Sequence, residues 1–344
     1  MNDNRNSGSS SASVSHSQSQ SKSRKRKRNL QNDEEINTYL ENRYTTLIPG
    51  PVLERKRKDL IKHVRSTIKV QFVDAKVCVY GSSGSGTALI SSDVDLCVYV
   101  KTENPDETIT QIANLLDQGG FKDVKERSAK DRLGIFCYHE EAENKTYIDL
   151  TLNNKVARRT SKFIRSIVNI NHTVKILLVL VKKFTMCFGI DDQKRGTLSS
   201  VGFSYMVVLV LQLNNLLPKF STTEFHDLII EANAYKVRFV EVSEECGNAS
   251  TLQLLRAFFH YYNECYDFEN DAISIIGGHV VSKQSLGWGG GEQKYALAIV
   301  DPFGADNVGR TVSFDGRKQI MISFKNAERI LGGTRPQMLF KRVE

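Results

Sequence analysis

The stretch GSSGSGTALISSDVDLCVYV, residues 81–100, constrains the fold of this chain more than any other. A glycine-serine run leads into a segment where Val94, Leu96, Val98 and Val100 alternate with Asp93 and Asp95. Successive side chains of a strand point to opposite faces, so the apolar set packs and both carboxylates share the open face. Two unpaired carboxylates repel, and a divalent cation between them makes the arrangement tolerable. Asp149 in TYIDLTL is flanked by the same alternation, so a third carboxylate can face the same point from another strand. Three aspartates on adjacent strands form a site for two magnesium or manganese ions, with the Gly81-Ser82 turn offering N–H groups and a hydroxyl to a triphosphate. Alone, Asp149 reads as a surface strand residue. After Gly-Ser and Asp-x-Asp it reads as a ligand.

Two other phosphate-loop readings of the run fail. Gly81 and Gly86 have the separation of a Walker A loop, but Thr87 follows directly, with no lysine to reach the phosphates. No helix is expected to open there, which removes the dinucleotide fingerprint as well. A plain serine-glycine hairpin loop would leave the acidic strand unexplained.

Around this stretch the chain reads as two domains. Ile36, Tyr39, Leu40 and then Leu60, Ile61, Val64, Ile68 recur at helical spacing, with Pro51 separating two helices. Strands are expected at 76–80, 93–100, 133–139 and 145–153, with a helix over 107–120 ended by glycines. This is an α+β unit with a small mixed sheet. After about residue 158 helices dominate, over 161–188, 200–217 and 251–266, and a β-like patch returns at 294–301. The expected division is a tail (1–32), a sheet-containing domain (33–158) and a largely helical domain (159–344).

The net charge of +8 is uneven: residues 1–32 carry seven cations against Asp3. That leaves only about +2 for the rest, so any basic surface there is local. The tail is Ser-rich and nearly devoid of apolar residues, which predicts disorder. Its SKSRKRKRN reads as a nuclear-import address, a non-specific polyanion contact or a plain solvated charge run. No apolar run approaches the ~18–20 residues of a membrane span, and no signal segment is expected. Six singly spaced cysteines, without CxxC, argue for a reducing compartment and against zinc. The expected location is nuclear or nucleocytoplasmic, not secreted.

VYGSSGSGTALISSDVDLCV resembles the signature of the DNA polymerase β-like nucleotidyltransferases, and more specifically that of the noncanonical poly(A) polymerase and terminal uridylyltransferase family. Further segments match in the family's order. SKFIRSIVNINHTVKILLVLVKKF resembles its helix pair ending in a triphosphate lysine. GIDDQKRGTLSS resembles its GINDxxxGTLSS turn, and LRAFFHYYNECYDFENDAISI its FFxYY…FD segment, although FFHYY alone reads as core packing. VDPFGADNVGRTV resembles its nucleotide recognition motif. The resemblance implies a nucleotidyltransferase catalytic domain with a small mixed sheet, a helical central domain, and an active site in the cleft between them.

On that resemblance Gly81 and Ser82 contact phosphate, and Asp93, Asp95 and Asp149 are the catalytic, metal-binding aspartates. Lys182 and Ser200 hold the triphosphate; Asp301 and Arg310 take the first and last polar positions of the recognition motif. The family's second lysine is Met186 here, which shifts weight to Lys182, Lys183 or an arginine. Val201 replaces the usual stacking tyrosine, so Phe203, or Tyr205 after a further shift, is expected to stack on the base. Thr160 stands where an asparagine is usual. The implied activity is template-independent addition of AMP to RNA 3′ ends, with UMP addition as the alternative. Asp306, an acceptor in a loop lacking the uracil-selecting histidine, favours ATP. A catalytically silent RNA-binding subunit and a small-molecule nucleotidyltransferase are the remaining readings.

RNA contacts are expected from Arg158, Arg159 and Lys162, with Lys155 and Arg165 beside them, because they follow the third aspartate. The run Arg55-Lys56-Arg57-Lys58 reads equally as RNA contact or solvated helix face. With no RRM, KH or zinc-finger pattern, RNA choice is weak or borrowed from an RNA-binding adaptor, and the catalytic unit is expected to be monomeric.

Overall fold

In the computed structural model, residues 30–129, 132–141, 144–220, 249–289, 294–304 and 306–341 are described. The basic tail to residue 29 and Cys246 lie outside them. Two helices come first: α1 over 30–47 and α2 over Pro51–Lys69, whose first turn opens on proline, a residue whose missing N–H is no loss there.

A five-stranded sheet follows, from β1 (Lys76–Val79), β2 (Val94–Tyr99), β3 (Lys122–Ala129), β4 (Arg132–Glu141) and β5 (Asn144–Leu152). Its order is β1-β2-β5-β4-β3, with β2 and β5 parallel and all other neighbours antiparallel. A short helix, α3 (Gly81–Ser85), joins β1 towards β2, and α4 (Pro105–Gln118) crosses from β2 to β3. The glycine-serine run thus does open a helix, five residues long, contrary to the sequence expectation. Strand β3 was also missed: KDVKERSA lacks apolar alternation because it is an edge strand.

Leu60, Val64 and Ile68 of α2 and Ile112 and Leu116 of α4 pack with Val94, Leu96, Val98, Ile135, Ile148 and Leu150 in one core. A larger core joins α5 (Lys155–Val168), α6 (His172–Cys187), α7 (Ser200–Leu213), α8 (Thr251–His260) and α9 (Phe314–Leu331). Ile36, Leu40, Tyr44 and Leu47 of α1 belong to this helical core, not to the sheet domain expected to hold them. A helical stripe says that a face is buried, not which partner buries it. Phe258, Phe259 and Tyr262 are core residues, as their spacing suggested. The late β-like patch is β8 (Ala298–Ile299), which joins β6 (Asp271–Ser274) and β7 (His279–Ser282) in a three-stranded sheet ordered β7-β6-β8.

Candidate active site

The site begins where β1 meets α3. Gly81 has φ +58°, and a Cβ placed on it would lie 1.9 Å from Asp95 Oδ2. Only a residue without a side chain lets the turn approach the strand this closely. The approach is fastened by the Tyr80 N–H donating to the Asp95 carbonyl (3.0 Å) and the Ser82 N–H donating to Asp95 Oδ2 (3.3 Å).

Parallel pairing of β2 with β5 sets Asp95 directly beside Asp149, while Ile148 and Leu150 on either side are fully buried beneath the sheet. Asp93 immediately precedes β2, on the same side as Asp95 by strand parity. Burial, and then the neighbouring Asp149 charge, push the Asp95 carboxyl up to about 7. Loss of hydration also raises Asp93 and Asp149, against the pull of Lys182 and Arg127 on the first and Arg127 on the second.

Among the described residues, no three acidic, histidine or cysteine groups are gathered tightly enough to ligate one ion. Asp149 Oδ2 instead lies 3.8 Å from Arg127 Nη1 on the edge strand β3. The donor chemistry suits a hard divalent cation: it is all-oxygen and acidic, with one carboxyl lifted to about 7 by burial and then by the charge of its neighbour Asp149.

Lys182, on α6, reaches the site from the helical side and donates to Ser92 Oγ at 3.1 Å. Burial brings its ammonium down to about 8, with Asp95 and Asp191 opposing the shift. Ser92 also accepts from the Leu89 N–H (2.9 Å), and its carbonyl accepts from Arg57 (2.6 Å). Arg57 further donates to the Leu89 and Ile90 carbonyls, and is 7 % exposed. Arg57 thus braces the loop before β2, and is neither the RNA contact nor the solvated residue between which the sequence reading left the 55–58 run open.

Ser200 opens α7, with Ser199 as the capping residue that accepts from the Gly202 N–H (3.2 Å). Phe203 cannot stack on a base: it is 1 % exposed and packs near Phe324 in the helical core. Tyr205 is also 1 % exposed, its hydroxyl sunk beside Thr160 and Asp301 without a well-formed hydrogen bond. Thr160 is itself buried, so its side chain supports the interior and is not free to meet a nucleotide. The motif position misled here because α7 is buried nearly all round, so Phe203 and Tyr205, two residues apart, are both interior. Val201 and Met186 are half-buried against the same core.

Asp301 Oδ1 accepts from the Phe303 N–H (3.0 Å), and the Asp301 N–H donates to the Asp306 carbonyl (3.0 Å). Burial raises the Asp301 carboxyl, with Asp306 adding to the rise and Arg310 opposing it. Asp306 and Arg310 are exposed. Buried Asn307 braces the loop by accepting from the Ile299 and Gly309 N–H groups and donating to the Leu297 carbonyl. Of the basic residues, Arg158 lies over the Tyr99 ring (5.7 Å), Arg165 donates to the Gly84 carbonyl, and burial lowers Lys162. Arg127, Asp191 and Lys194, the last helping to hold Asp149 down, are charged neighbours that sequence reasoning missed. Only the three-dimensional pairing of an unrecognised edge strand and the GIDDQK turn brings them in.

Residues 36–169 match the family described as poly(A) RNA polymerase, mitochondrial-like, central palm domain, and residues 252–307 match the Cid1 family of poly(A) polymerases. These two matches and the relatives below support a place in the noncanonical poly(A) polymerase and terminal uridylyltransferase family of nucleotidyltransferases. It is similar to "Poly(A) RNA polymerase cid11" of Schizosaccharomyces pombe, at 27 % identity over 88 % of this chain and 65 % of the relative. Terminal uridylyltransferase cid1 of the same yeast is 29 % identical over 80 % of this chain and 74 % of its own length. Human terminal uridylyltransferase 7 is 25 % identical over 84 % of this chain, which spans only 20 % of that relative. Among solved structures, the Cid1 poly(U) polymerase with Mg and 3′-dATP bound shares this fold. It aligns with TM-score 0.75 and 24 % identity over 90 % of this chain and 99 % of the solved one.

Proposed function

We propose that this protein is a template-independent RNA 3′-terminal nucleotidyltransferase that adds AMP from ATP. The observation that carries the reading is Asp95 in register with Asp149, under a Gly81 turn too tight for any side chain. In the reaction, the RNA 3′-oxygen attacks the α-phosphorus and the bond to pyrophosphate breaks. Divalent cations held by Asp93, Asp95 and Asp149 would lower the pKa of the 3′-hydroxyl and neutralise the triphosphate. The chain's own groups do the rest. The Ser82 N–H orients the Asp95 carboxylate. Asp149, in register with Asp95, is the carboxylate towards which the 3′-hydroxyl and its departing proton are directed. Lys182 is still mainly cationic at neutral pH and is placed at the mouth of the acidic strand to meet the leaving pyrophosphate.

The relatives divide between poly(A) polymerases and uridylyltransferases, so the choice of base rests on the recognition loop. Its exposed Asp306 is an acceptor, which suits the adenine amine better than a uracil carbonyl. RNA contact through Arg158, Arg159 and Lys162, nuclear import through the basic tail, a monomeric unit and an RNA-binding adaptor belong to the same proposal. No helix of the described residues is long and apolar enough to cross a membrane.

The test is to incubate the protein with a 3′-hydroxyl RNA, Mg²⁺ and each NTP separately, and to read the tail on a gel. ATP should extend the RNA best. Asp306→His with one residue inserted before it should raise UTP use relative to ATP by roughly five- to hundredfold. Absence of extension by any NTP overturns the reading, and a wild-type preference for UTP overturns the base assignment.

A further inference from the structure

We propose that the open face of the five-stranded sheet beyond Asp149 is a stacking platform for the 3′-terminal nucleotides of single-stranded RNA. Its rings are Phe136, Tyr138 and Tyr147, and its cations are Arg127 and Lys145. The inference rests on the RNA 3′-end reading above and adds to it where the strand lies.

Cross-strand pairing puts the rings on the carboxylate side. Phe136 of β4 faces Asp149 of β5, and Tyr138 faces Tyr147, so these side chains share one face of the sheet. The apolar core and helices α2 and α4 lie on the other face. The Phe136 and Tyr147 rings are stacked, 5.6 Å apart and 13° from parallel, and Tyr138 leans against Tyr147 at 5.8 Å. The Arg127 guanidinium sits 4.2 Å from the Phe136 centroid, and the Lys145 ammonium 4.6 Å from that of Tyr138. Tyr147 is 40 % exposed, an aromatic ring left in water.

The charge and the direction of this ladder select its occupant. Every base offers a π-face to a ring, and every linkage offers a phosphate to a cation, so an alternation of rings and cations fits a single strand of any sequence. The ladder also ends at Asp149, where a 3′-hydroxyl must arrive. Tyr147 stands two strand residues before it, about 7 Å away along β5, within the reach of one nucleotide. A protein ligand would have no need to end at the carboxylate. Arg127 ties the two functions together, since it stacks on Phe136 and also faces Asp149 at 3.8 Å.

The experiment compares wild type with Tyr147→Ala, Tyr147→Trp and Tyr138→Ala. Fluorescence anisotropy gives Kd for a labelled single-stranded RNA ending in 3′-deoxyadenosine, without NTP. Extension assays give KM for RNA and for ATP. Tyr147→Ala should weaken RNA binding and raise the RNA KM by roughly five- to hundredfold, with the ATP KM and the melting temperature unchanged. Tyr138→Ala should act the same way, and Tyr147→Trp should retain wild-type affinity. Unchanged RNA affinity in Tyr147→Ala overturns the proposal, including the case in which the variant loses a protein partner instead. A change in the ATP KM alone overturns it too, by moving the rings to the nucleotide site. If wild type extends no RNA yet binds the oligonucleotide through Tyr147, the enzymatic reading fails and the platform stands. If it extends RNA and Tyr147→Ala binds normally, the platform fails and the enzyme stands.

Discussion

The two faces of the five-stranded sheet are built by the same strands and differ in almost every physical respect. Below it, Val94, Leu96, Val98, Ile148 and Leu150 are essentially without solvent contact. Above it, in alternate positions, stand Asp95, Asp149 and Tyr147, charged or half-exposed. A period of two therefore separates what keeps the protein folded from what it does, residue by residue along one strand. The contrast teaches that neighbouring substitutions should have unrelated consequences, and that their parity says which.

The sharpest break is on the upper face. Asp93→Ala or Asp95→Ala should reduce nucleotide addition by at least ~10²–10³-fold, the scale of losing one electrostatic contact to a transition state. Thermal unfolding should stay unchanged or move up, because a crowded carboxylate has gone. Activity above a trace, with Mg²⁺ present, would erase the distinction between the faces.

One residue away from Asp149, Leu150→Ala should behave in the opposite way. It empties space in a closed core and should lower stability by about 2–5 kcal/mol in denaturant titration. The folded fraction should keep near-normal turnover. A large loss of kcat at full folding would show that the lower face takes part in the chemistry.

A smaller effect comes from replacing the charge on the upper face without emptying it. The folded Asp95 carboxyl titrates at about 7, above the usual carboxylate range, so the native state holds this proton more tightly than the unfolded chain. Its contribution to stability is present below about pH 4 and is lost as pH rises towards 7. In metal-free buffer Asp95→Asn should therefore unfold like wild type below pH 4. Above pH 7 it should be more stable by about 1–3 kcal/mol, after allowance for solvent screening at a half-buried group. A gain that is independent of pH would show that the burial penalty lies elsewhere.

The same parity explains what could be read from the residues. Strands β1, β2, β4 and β5 were legible because their apolar alternation is strong, and Asp93, Asp95 and Asp149 stood out as interruptions of it. Strand β3 was not, because an edge strand keeps its charges: Lys125, Glu126 and Arg127 break any pattern. With β3 unseen, Arg127 could not be placed beside Asp149. Composition also misjudged Arg57, because a guanidinium that caps three carbonyls reads no differently from one in water. In the helical domain the difficulty was the reverse. Helix α7 is apolar nearly all round, so no periodicity showed that Phe203 and Tyr205 were interior. The position of α1 depended on a contact with residues far along the chain, such as Leu252 donating its N–H to Asn37.

The glycines of GSSGSG are not equivalent, and this bears on how such a sequence can drift. At Gly86 the backbone is left-handed, φ +81°, but an added methyl would meet nothing nearer than 3.8 Å. An asparagine, which visits that region readily, is a tolerable neighbour state there. Gly84 has an ordinary backbone and would press a methyl to 3.1 Å from the Val79 carbonyl oxygen, a cramped but relievable contact. At Gly81 both escape routes are shut, since the left-handed backbone and the Asp95 carboxylate each exclude a side chain. That carboxylate cannot retreat without leaving its place beside Asp149. Position 81 thus has an alphabet of one letter, and it is spelled by the acid across the turn as much as by the turn itself.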